Sequence, residues 1–311
     1  MTLIGAAAAK GYTTRARVKA QLGDLVQADS ASDAVLDALI LAASRAIDSY
    51  CSRTFGRDRV SEDLTAEGSV WLTLDRTPVL TVTQVLCDSA PVLDWTLTDP
   101  EAGILYRRTG FLNVLGPREL GWPNAAPPLA TDLPPRYHVD YIGGFLLPAD
   151  DVEVKTINVT ASDQSYQDSA SGLPLLVAGD SILASGFTNA KNNGWKTVVT
   201  ATSSLITVTS DPAVVDEVAP GAMGGSRSLR VSTLPADLEQ ACLETVKEFW
   251  HSRQRDPDVT SKRVGDLAIS YGRSSRLVSG AGEAGGTGGA ANIEALPFRA
   301  IGLLKPWQRV V

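Results

Sequence analysis

Three segments of the chain carry apolar residues at the three- and four-residue spacing of an amphipathic helix. The strongest runs from Ser32 to Ser52, and its apolar stripe consists of Leu36, Leu39, Ile40, Ala43, Ile47, Tyr50 and Cys51. The second covers residues 235–254 and begins with Pro235, which suits a first helical turn. Its stripe consists of Leu238, Ala241, Cys242, Thr245 and Phe249. A shorter helix follows the N-cap residue Thr14 and ends at Gly23. The two long helices are predicted to pack together as the core.

From Asp63 onward the apolar spacing changes to two, which is typical of strands. The predicted strands in the first half are Ser69–Leu74, Val79–Leu86, Ile104–Arg108 and Arg136–Tyr141. Residues 151–231 are rich in Ser, Thr, Asp, Asn and Gly and contain further β-like runs. These runs are Val154–Thr160, Thr197–Ala201 and Leu205–Thr209. The second half is therefore predicted to contain a small all-β unit.

The tetrapeptide Leu-Pro-Ala-Asp occurs on both flanks of this β unit, at 147–150 and 234–237. Such a repeat is what an inserted domain could leave behind, although residues this common also repeat by chance. The predicted fold class is α+β, with a mostly helical core that carries short strands or a hairpin, plus an inserted small all-β domain. The predicted domains are a discontinuous core of residues 1–147 and 234–311, an inserted β domain of residues 148–233, and a flexible Gly-rich linker at 279–291.

Composition narrows the classes of function. Apolar residues make up 44% and charged residues 20% of the chain, as in soluble globular proteins. The net charge of −7 argues against tight DNA binding, because DNA-binding proteins carry clusters of Lys and Arg that neutralise phosphates. The basic stretch Arg53–Arg59 is interpreted as a solvated helix end. No run of about 18 apolar residues predicts a membrane span.

Motifs for catalysis are weak. Gly280–Gly285 matches G-x-G-x-x-G, but no βαβ pattern surrounds it, so a linker is the favoured interpretation. The two histidines, His138 and His251, lie in a predicted strand and near a predicted helix end, without a nucleophile motif beside them. The sequence therefore predicts no catalytic residues and no cofactor.

Carboxylates and cysteines were the remaining candidates for chemistry. The pairs Asp150-Asp151 and Glu62-Asp63 fit acid/base couples or cation ligands, but solvated loop charge is the favoured interpretation. The three cysteines are far apart, which fits neither a disulfide framework nor a zinc site. We expect no metal, and this use of cysteine fits synthesis in a reducing cytoplasm.

The order of elements resembles the head–tail connector (adaptor) family of tailed bacteriophages. Six segments carry the resemblance in family order: 18–22, 37–55, 71–79, 99–108, 141–145 and 234–242. The most typical block is the helix that ends in Tyr50-Cys51 and continues to Arg53 and Phe55. The β insertion, the glycine linker and the longer region from Pro117 to Pro135 depart from the pattern.

The resemblance implies a structural virion protein at the neck, a non-enzymatic subunit of a homo-oligomeric ring that usually has twelve copies. Such a ring sits on the portal protein, contacts stopper or tail-completion proteins, and lets DNA pass through its bore without sequence-specific binding. The acidic balance fits this task, because a bore that bound phosphates tightly would impede DNA. The β insertion is expected to face outward and contact a neighbouring adaptor, the capsid or tail decoration.

The C-terminal segment is the candidate partner-binding site. A short apolar segment on a flexible tether can dock in a neighbour's groove. The candidate docking residues are Phe298, Ile301, Leu303, Leu304, Trp307 and Arg309. The alternative is a terminal helix that packs on its own core.

Three other functions remain open. A stopper or tail-completion protein occupies the next ring of the same neck. A carbohydrate- or surface-binding module would use aromatic residues of the β insertion, of which Tyr166, Phe187 and Trp195 are available. A hydrolase with dispersed catalytic residues is the third.

Overall fold

The computed structural model describes residues 10–23, 30–65, 69–87, 89–111, 136–154, 156–220, 225–253, 261–264, 267–270 and 296–308. The chain divides into two compact units. The first contains Phe55–Phe145 and is called the strand unit here. The second contains Ala9–Thr54 and Leu146–Val311 and is called the mixed unit. The predicted linker at 279–291 lies outside the described residues.

The strand unit consists of two antiparallel sheets. One has the order β1-β7-β3-β4 and the other β2-β6-β5. The strands are β1 (Asp58–Thr65), β2 (Trp71–Thr73), β3 (Val79–Cys87), β4 (Ala90–Pro91), β5 (Trp95–Asp99), β6 (Ile104–Arg107) and β7 (Arg136–Gly143). Alternate residues of both sheets face one core, because successive side chains of a strand point to opposite faces. That core includes Val60, Leu72, Val85, Leu105, Tyr137 and Tyr141.

Four α-helices are described in the mixed unit. They are α1 (Arg15–Leu22), α2 (Ser30–Cys51), α3 (Ala236–Arg253) and α4 (Phe298–Leu304). The Thr14 side chain accepts a hydrogen bond from the backbone N–H of Arg17, which confirms the predicted N-cap of α1. Helix α3 packs against α1, α2 and α4. The predicted stripes are buried in most positions, but Leu39, Tyr50 and Phe249 are only half-buried, and α3 buries Val246 and Trp250 in addition. The prediction that α2 and α3 pack together is confirmed.

The mixed unit also contains a seven-stranded antiparallel sheet, whose strands lie between α2 and α3 in sequence and have the order β8-β14-β11-β12-β13-β10-β9. Its strands are β8 (Val152–Val154), β9 (Ile157–Thr160), β10 (Ser165–Asp168), β11 (Ser181–Ser185), β12 (Gly194–Ala201), β13 (Leu205–Thr209) and β14 (Arg227–Arg230). The two end strands, β8 and β9, are consecutive in the chain. Three Cα–Cα steps of about 3.8 Å separate Val154 from Ile157, so the sheet must curl until its ends lie close. Its own buried core lies inside this curl and includes Ile157, Tyr166, Phe187 and Leu229.

A two-stranded sheet completes the described strands. It pairs β15 (Ser261–Val264) with β16 (Leu267–Ser270) in antiparallel register.

The predicted fold class is wrong in its emphasis on helices. The described residues contain sixteen strands and four α-helices, and the strands described between residues 55 and 145 form β-sheets rather than part of a mostly helical core. The error has a physical cause, since β1 pairs with β7 and Asp63 faces His138 across 75 residues of sequence. Alternation of apolar and polar residues predicts single strands, but it does not show which strands pair over such a distance. The seven-stranded sheet lies inside the predicted bounds 148–233, and its origin as an insertion stays a prediction.

Candidate functional site

Helix α4 carries four of the candidate docking residues, Trp307 lies in the 3-10 turn that follows it, and the helix packs on α3 of its own chain. Leu304 is fully buried, while Ile301, Leu303 and Trp307 are half-buried. Phe298 is 77% exposed, and Arg309 lies outside the described residues. This arrangement agrees with the alternative interpretation, in which the terminal helix packs on the core of its own chain. Docking on a partner stays a prediction. Among the described candidate residues, Phe298 is the most exposed and is therefore accessible to a partner in the folded subunit.

The chain enters and leaves the seven-stranded sheet at one place, the junction, defined by residues 146–151 and 231–234. The backbone N–H groups of Thr233 and Leu234 donate to the carbonyl oxygen of Leu146 at 2.9 and 3.1 Å. The carboxylate of Asp151 accepts the N–H groups of Val231 and Ser232 at 2.7 and 3.0 Å. Adjacent ends of this kind allow a module to be added to a host domain without disturbing it.

Asp150 ties the junction to the start of the chain. It is 7% exposed, accepts the N–H of Leu147 at 2.8 Å and pairs with Lys10. Arg17 of α1 pairs with Glu239 of α3 and lies 3.9 Å from Asp151. The interpretation of Asp150-Asp151 as solvated loop charge is therefore wrong, because their oxygens satisfy backbone donors that would otherwise be unpaired. The repeated tetrapeptide was the sequence signal for this junction.

Glu62 and Asp63 lie on opposite faces of β1 and do not form a couple. Glu62 is 5% exposed, and its carboxylate accepts the Tyr141 hydroxyl at 2.5 Å and the Asp75 N–H at 3.1 Å. Burial raises the pKa of Glu62, and the hydrogen bonds from Tyr141 and Asp75 offset part of that rise. Solvated loop charge is thus a wrong interpretation for Glu62. Its position in the core identifies it as a buried polar contact of the strand unit.

His138 lies between two carboxylates on the outer face of the β1–β7 pair. Its Nδ1 is 2.9 Å from Asp63 Oδ1, and its Nε2 is 3.3 Å from Asp140 Oδ1. The hydrogen bond with Asp63 and the charge of Asp140 raise the pKa of His138. Ser61 donates its hydroxyl to Asp140 rather than to the imidazole. In a catalytic triad the imidazole accepts the serine proton, whereas here the Ser61 hydroxyl contacts a carboxylate, so the order of groups is not that of a triad.

Two exposed aromatic positions lie elsewhere. In the strand unit Trp71 packs beside Tyr106 with ring centroids 4.8 Å apart. In the seven-stranded sheet Trp195 is 70% exposed, whereas Tyr166 and Phe187 are buried in its core. Only one of the three aromatic residues proposed for carbohydrate stacking is thus accessible, which disfavours that function.

The described residues contain no cluster of three His, Cys, Asp or Glu side chains suited to a metal ion. None of the described helices is long and apolar enough to cross a membrane. Cys51 and Cys242 are buried, and burial raises the pKa of each thiol to about 12. Such thiols behave as small apolar side chains.

No family model matches the chain, and no curated protein matches it. Among solved structures, a chain described as "Neck of empty GTA particle computed with C6 symmetry" is similar to it. The two share 16% identity over 100% of this chain and 97% of the other, with a TM-score of 0.43. A likeness of this size does not carry an argument, so the function is inferred from the chain's own residues.

Proposed function

We propose that this protein is a structural component of a phage-type neck, a head–tail adaptor whose copies form a ring between the portal and the tail. It has no catalytic role in this proposal. The mature location is the virion, at the head–tail interface, and DNA passes through the bore of the ring.

The observation that carries the proposal is the packing of α2 against α3. The family-like segments 37–55 and 234–242 are almost 200 residues apart in sequence, yet Ser44 Oγ lies 3.8 Å from Cys242 Sγ. The adaptor interpretation requires these two helices to form one core, and separate domains would have excluded it. Helix α1, which contains the family-like segment 18–22, buries Val18 and Leu22 and packs on α3, where Arg17 also pairs with Glu239.

The placement of the seven-stranded sheet supports the same proposal. Both of its connections run through the junction, so the helical core and the sheet can be built and exchanged as separate pieces. A ring subunit can then carry added bulk on its outer side without obstructing assembly. The outward position and the partner of this sheet belong to the proposal.

The test is binding to purified portal rings, followed by sedimentation and by quantitation of both proteins in the pellet. We expect the chain to sediment with the portal at a stoichiometry of about one adaptor per portal subunit, since rings seated on rings share their symmetry. Variant Phe298→Ala tests the C-terminal segment, and Trp195→Ala is a matched control with an exposed aromatic elsewhere. A chain that never sediments with the portal contradicts the proposal.

A stopper or tail-completion protein is the alternative position in the same neck. The order of addition separates the two. An adaptor binds the bare portal, whereas a stopper binds only portal that already carries an adaptor. Binding that requires a prior ring favours the alternative.

A further inference from the structure

His138 has a carboxylate oxygen beside each of its two ring nitrogens. Its Nδ1 is 2.9 Å from Asp63 Oδ1 on β1, and its Nε2 is 3.3 Å from Asp140 Oδ1 on β7. A neutral imidazole carries a single N–H, so its second nitrogen would turn a lone pair towards a carboxylate. Only the imidazolium donates a hydrogen bond at both nitrogens. The geometry therefore favours the protonated ring.

These contacts belong to a chain of side chains that joins β1 to β7. In the register of the two strands, His138 is directly opposite Asp63, and Asp140 is directly opposite Ser61. The Ser61 hydroxyl donates to the same Asp140 oxygen that faces His138 Nε2. The chain thus begins at Asp63 on β1, passes through two side chains of β7 and returns to β1 at Ser61. The ionisable ring of His138 is its middle link.

Strand β1 depends on β7 for its place in the sheet. It stands at the end of the order β1-β7-β3-β4, and all eight of its residues pair with β7 without a bulge. It is also the first strand after the chain enters the strand unit at Phe55. Segments with few neighbours are the ones that open locally in a folded protein. Side-chain contacts across the β1–β7 pair therefore contribute to keeping β1 in place.

The charges of the surrounding strands leave Asp63 and Asp140 as the partners of the ring. The charged residues of the two strands are Asp58, Arg59, Glu62 and Asp63 on β1, and Arg136 and Asp140 on β7. Glu62 lies on the other face of β1, where it accepts the Tyr141 hydroxyl. Strand β3 places Leu86 opposite His138, and its sequence has no acid or base apart from the thiol of Cys87. The hydrogen bond with Asp63 has the largest effect on the pKa of His138, and with Asp140 it outweighs desolvation and raises that pKa.

We propose that His138 is a proton-dependent clamp, whose imidazolium holds β1 to β7 through Asp63 and Asp140 and whose loss of a proton loosens β1. A group with a raised folded pKa contributes its stability fully below the unfolded pKa. That contribution is lost as the pH rises through the folded value. The clamp is therefore closed below about pH 6.5, the ordinary pKa of histidine, and it opens on the alkaline side of that value. It does not depend on the neck assignment.

Nuclear magnetic resonance of the ring nitrogens in the full chain, labelled with ¹⁵N-histidine, follows the proton directly. His138 and His251 are the two histidines of the chain, so the variant His251→Gln assigns both sets of signals. We expect both ring nitrogens of His138 to stay protonated above about pH 6.5, and Asp63→Asn to shift their titration to lower pH. Titration of His138 at or below that pH, or a titration that Asp63→Asn leaves unchanged, overturns the proposal.

Hydrogen exchange of the β1 peptide measures the clamp itself. The variant His138→Gln is compared with the parent protein at the same pH, because this cancels the effect of pH on the exchange chemistry. We expect the β1 amides of the variant to exchange about two- to fivefold faster at about pH 5.5, and at about the parent rate near pH 9. The matched control His251→Gln should leave β1 unchanged at both pH values. Equal rates in variant and parent at the acidic pH show that there is no clamp, and the same acceleration at both pH values shows that it does not respond to the proton.

Discussion

One arginine links β14, the strand next to the end strand β8, with β9 at the other end of the curled seven-stranded sheet. Arg227 of β14 is 2% exposed, and its guanidinium donates to the carbonyl oxygen of Ile157 in β9 at 2.5 Å and to that of Val218 at 2.9 Å. It also pairs with Glu217 at 2.5 Å and lies 4.8 Å from the centre of the Phe187 ring. Removing this side chain should release the ends of the sheet.

The magnitude follows from what Arg227→Met leaves behind. Methionine keeps the apolar stem but removes the charge. Glu217, whose side chain is 11% exposed, then loses its cation but keeps its other donors, and two carbonyl oxygens lose their donor. Breaking a buried ion pair by removing one partner costs about 3–5 kcal/mol. The control Arg230→Met changes an exposed arginine of the same strand and should cost less than about 0.5 kcal/mol.

Hydrogen exchange of the full chain, read by peptide mass spectrometry, measures this cost locally. A loss of about 3–5 kcal/mol corresponds to exchange about 10² to 10⁴ times faster in β9 and β14. Helices α2 and α3 should keep their protection if the sheet opens as a unit of its own. An effect of Arg227→Met no larger than that of Arg230→Met refutes the role of the arginine, and equal loss in α2 and α3 refutes the independence of the sheet.

The remaining predictions concern acid, the C-terminal helix and the thiols. Burial alone would raise the pKa of Glu217, but hydrogen bonds from Thr188, Asn189 and Asn192 together with the charge of Arg227 lower it below its ordinary value. The contribution of Glu217 to folding stability is therefore present above its ordinary pKa and is lost as the pH falls through the lower folded value. Glu217→Gln should therefore flatten the acid limb of stability in denaturant titrations of the sheet, and an unchanged slope contradicts this assignment. For α4, Leu304→Ala should lower the free energy of unfolding by about 2–5 kcal/mol, measured by thermal unfolding. Phe298→Ala should leave the melting temperature nearly unchanged but weaken portal binding. Equal destabilisation by both substitutions would show that Phe298 is part of the core. In native protein Cys87 should react with a thiol reagent long before Cys51 or Cys242, whose pKa values near 12 keep them protonated; simultaneous labelling would contradict their burial.

The helices were predictable from the sequence because their signal is local. The stripe from Leu36 to Cys51 needs only its own spacing, and Thr14 caps its helix through contacts a few residues away. The strands of the second half were found in part for the same reason, as with Leu205–Thr209.

Single strands of the strand unit were predicted from alternation, as with Val79–Leu86, but β1 was missed and the pairing of distant strands has no local signal. Strand β1 places Glu62, a charged residue, at a core position where Tyr141 satisfies it from a distant strand. Alternation of apolar and polar residues is broken at that position, so no pattern marks the first half of β1. The same holds for Asp150 and Asp151, whose partners at Lys10, Val231 and Ser232 come together only in the fold.

Electron microscopy of the purified chain, alone and with portal rings, tests the central claim most directly. The account predicts ring-shaped particles with radial symmetry, or an added layer of density on one face of the portal. A chain that stays a single subunit in both conditions, with no added layer on the portal, would contradict the assignment to a neck ring.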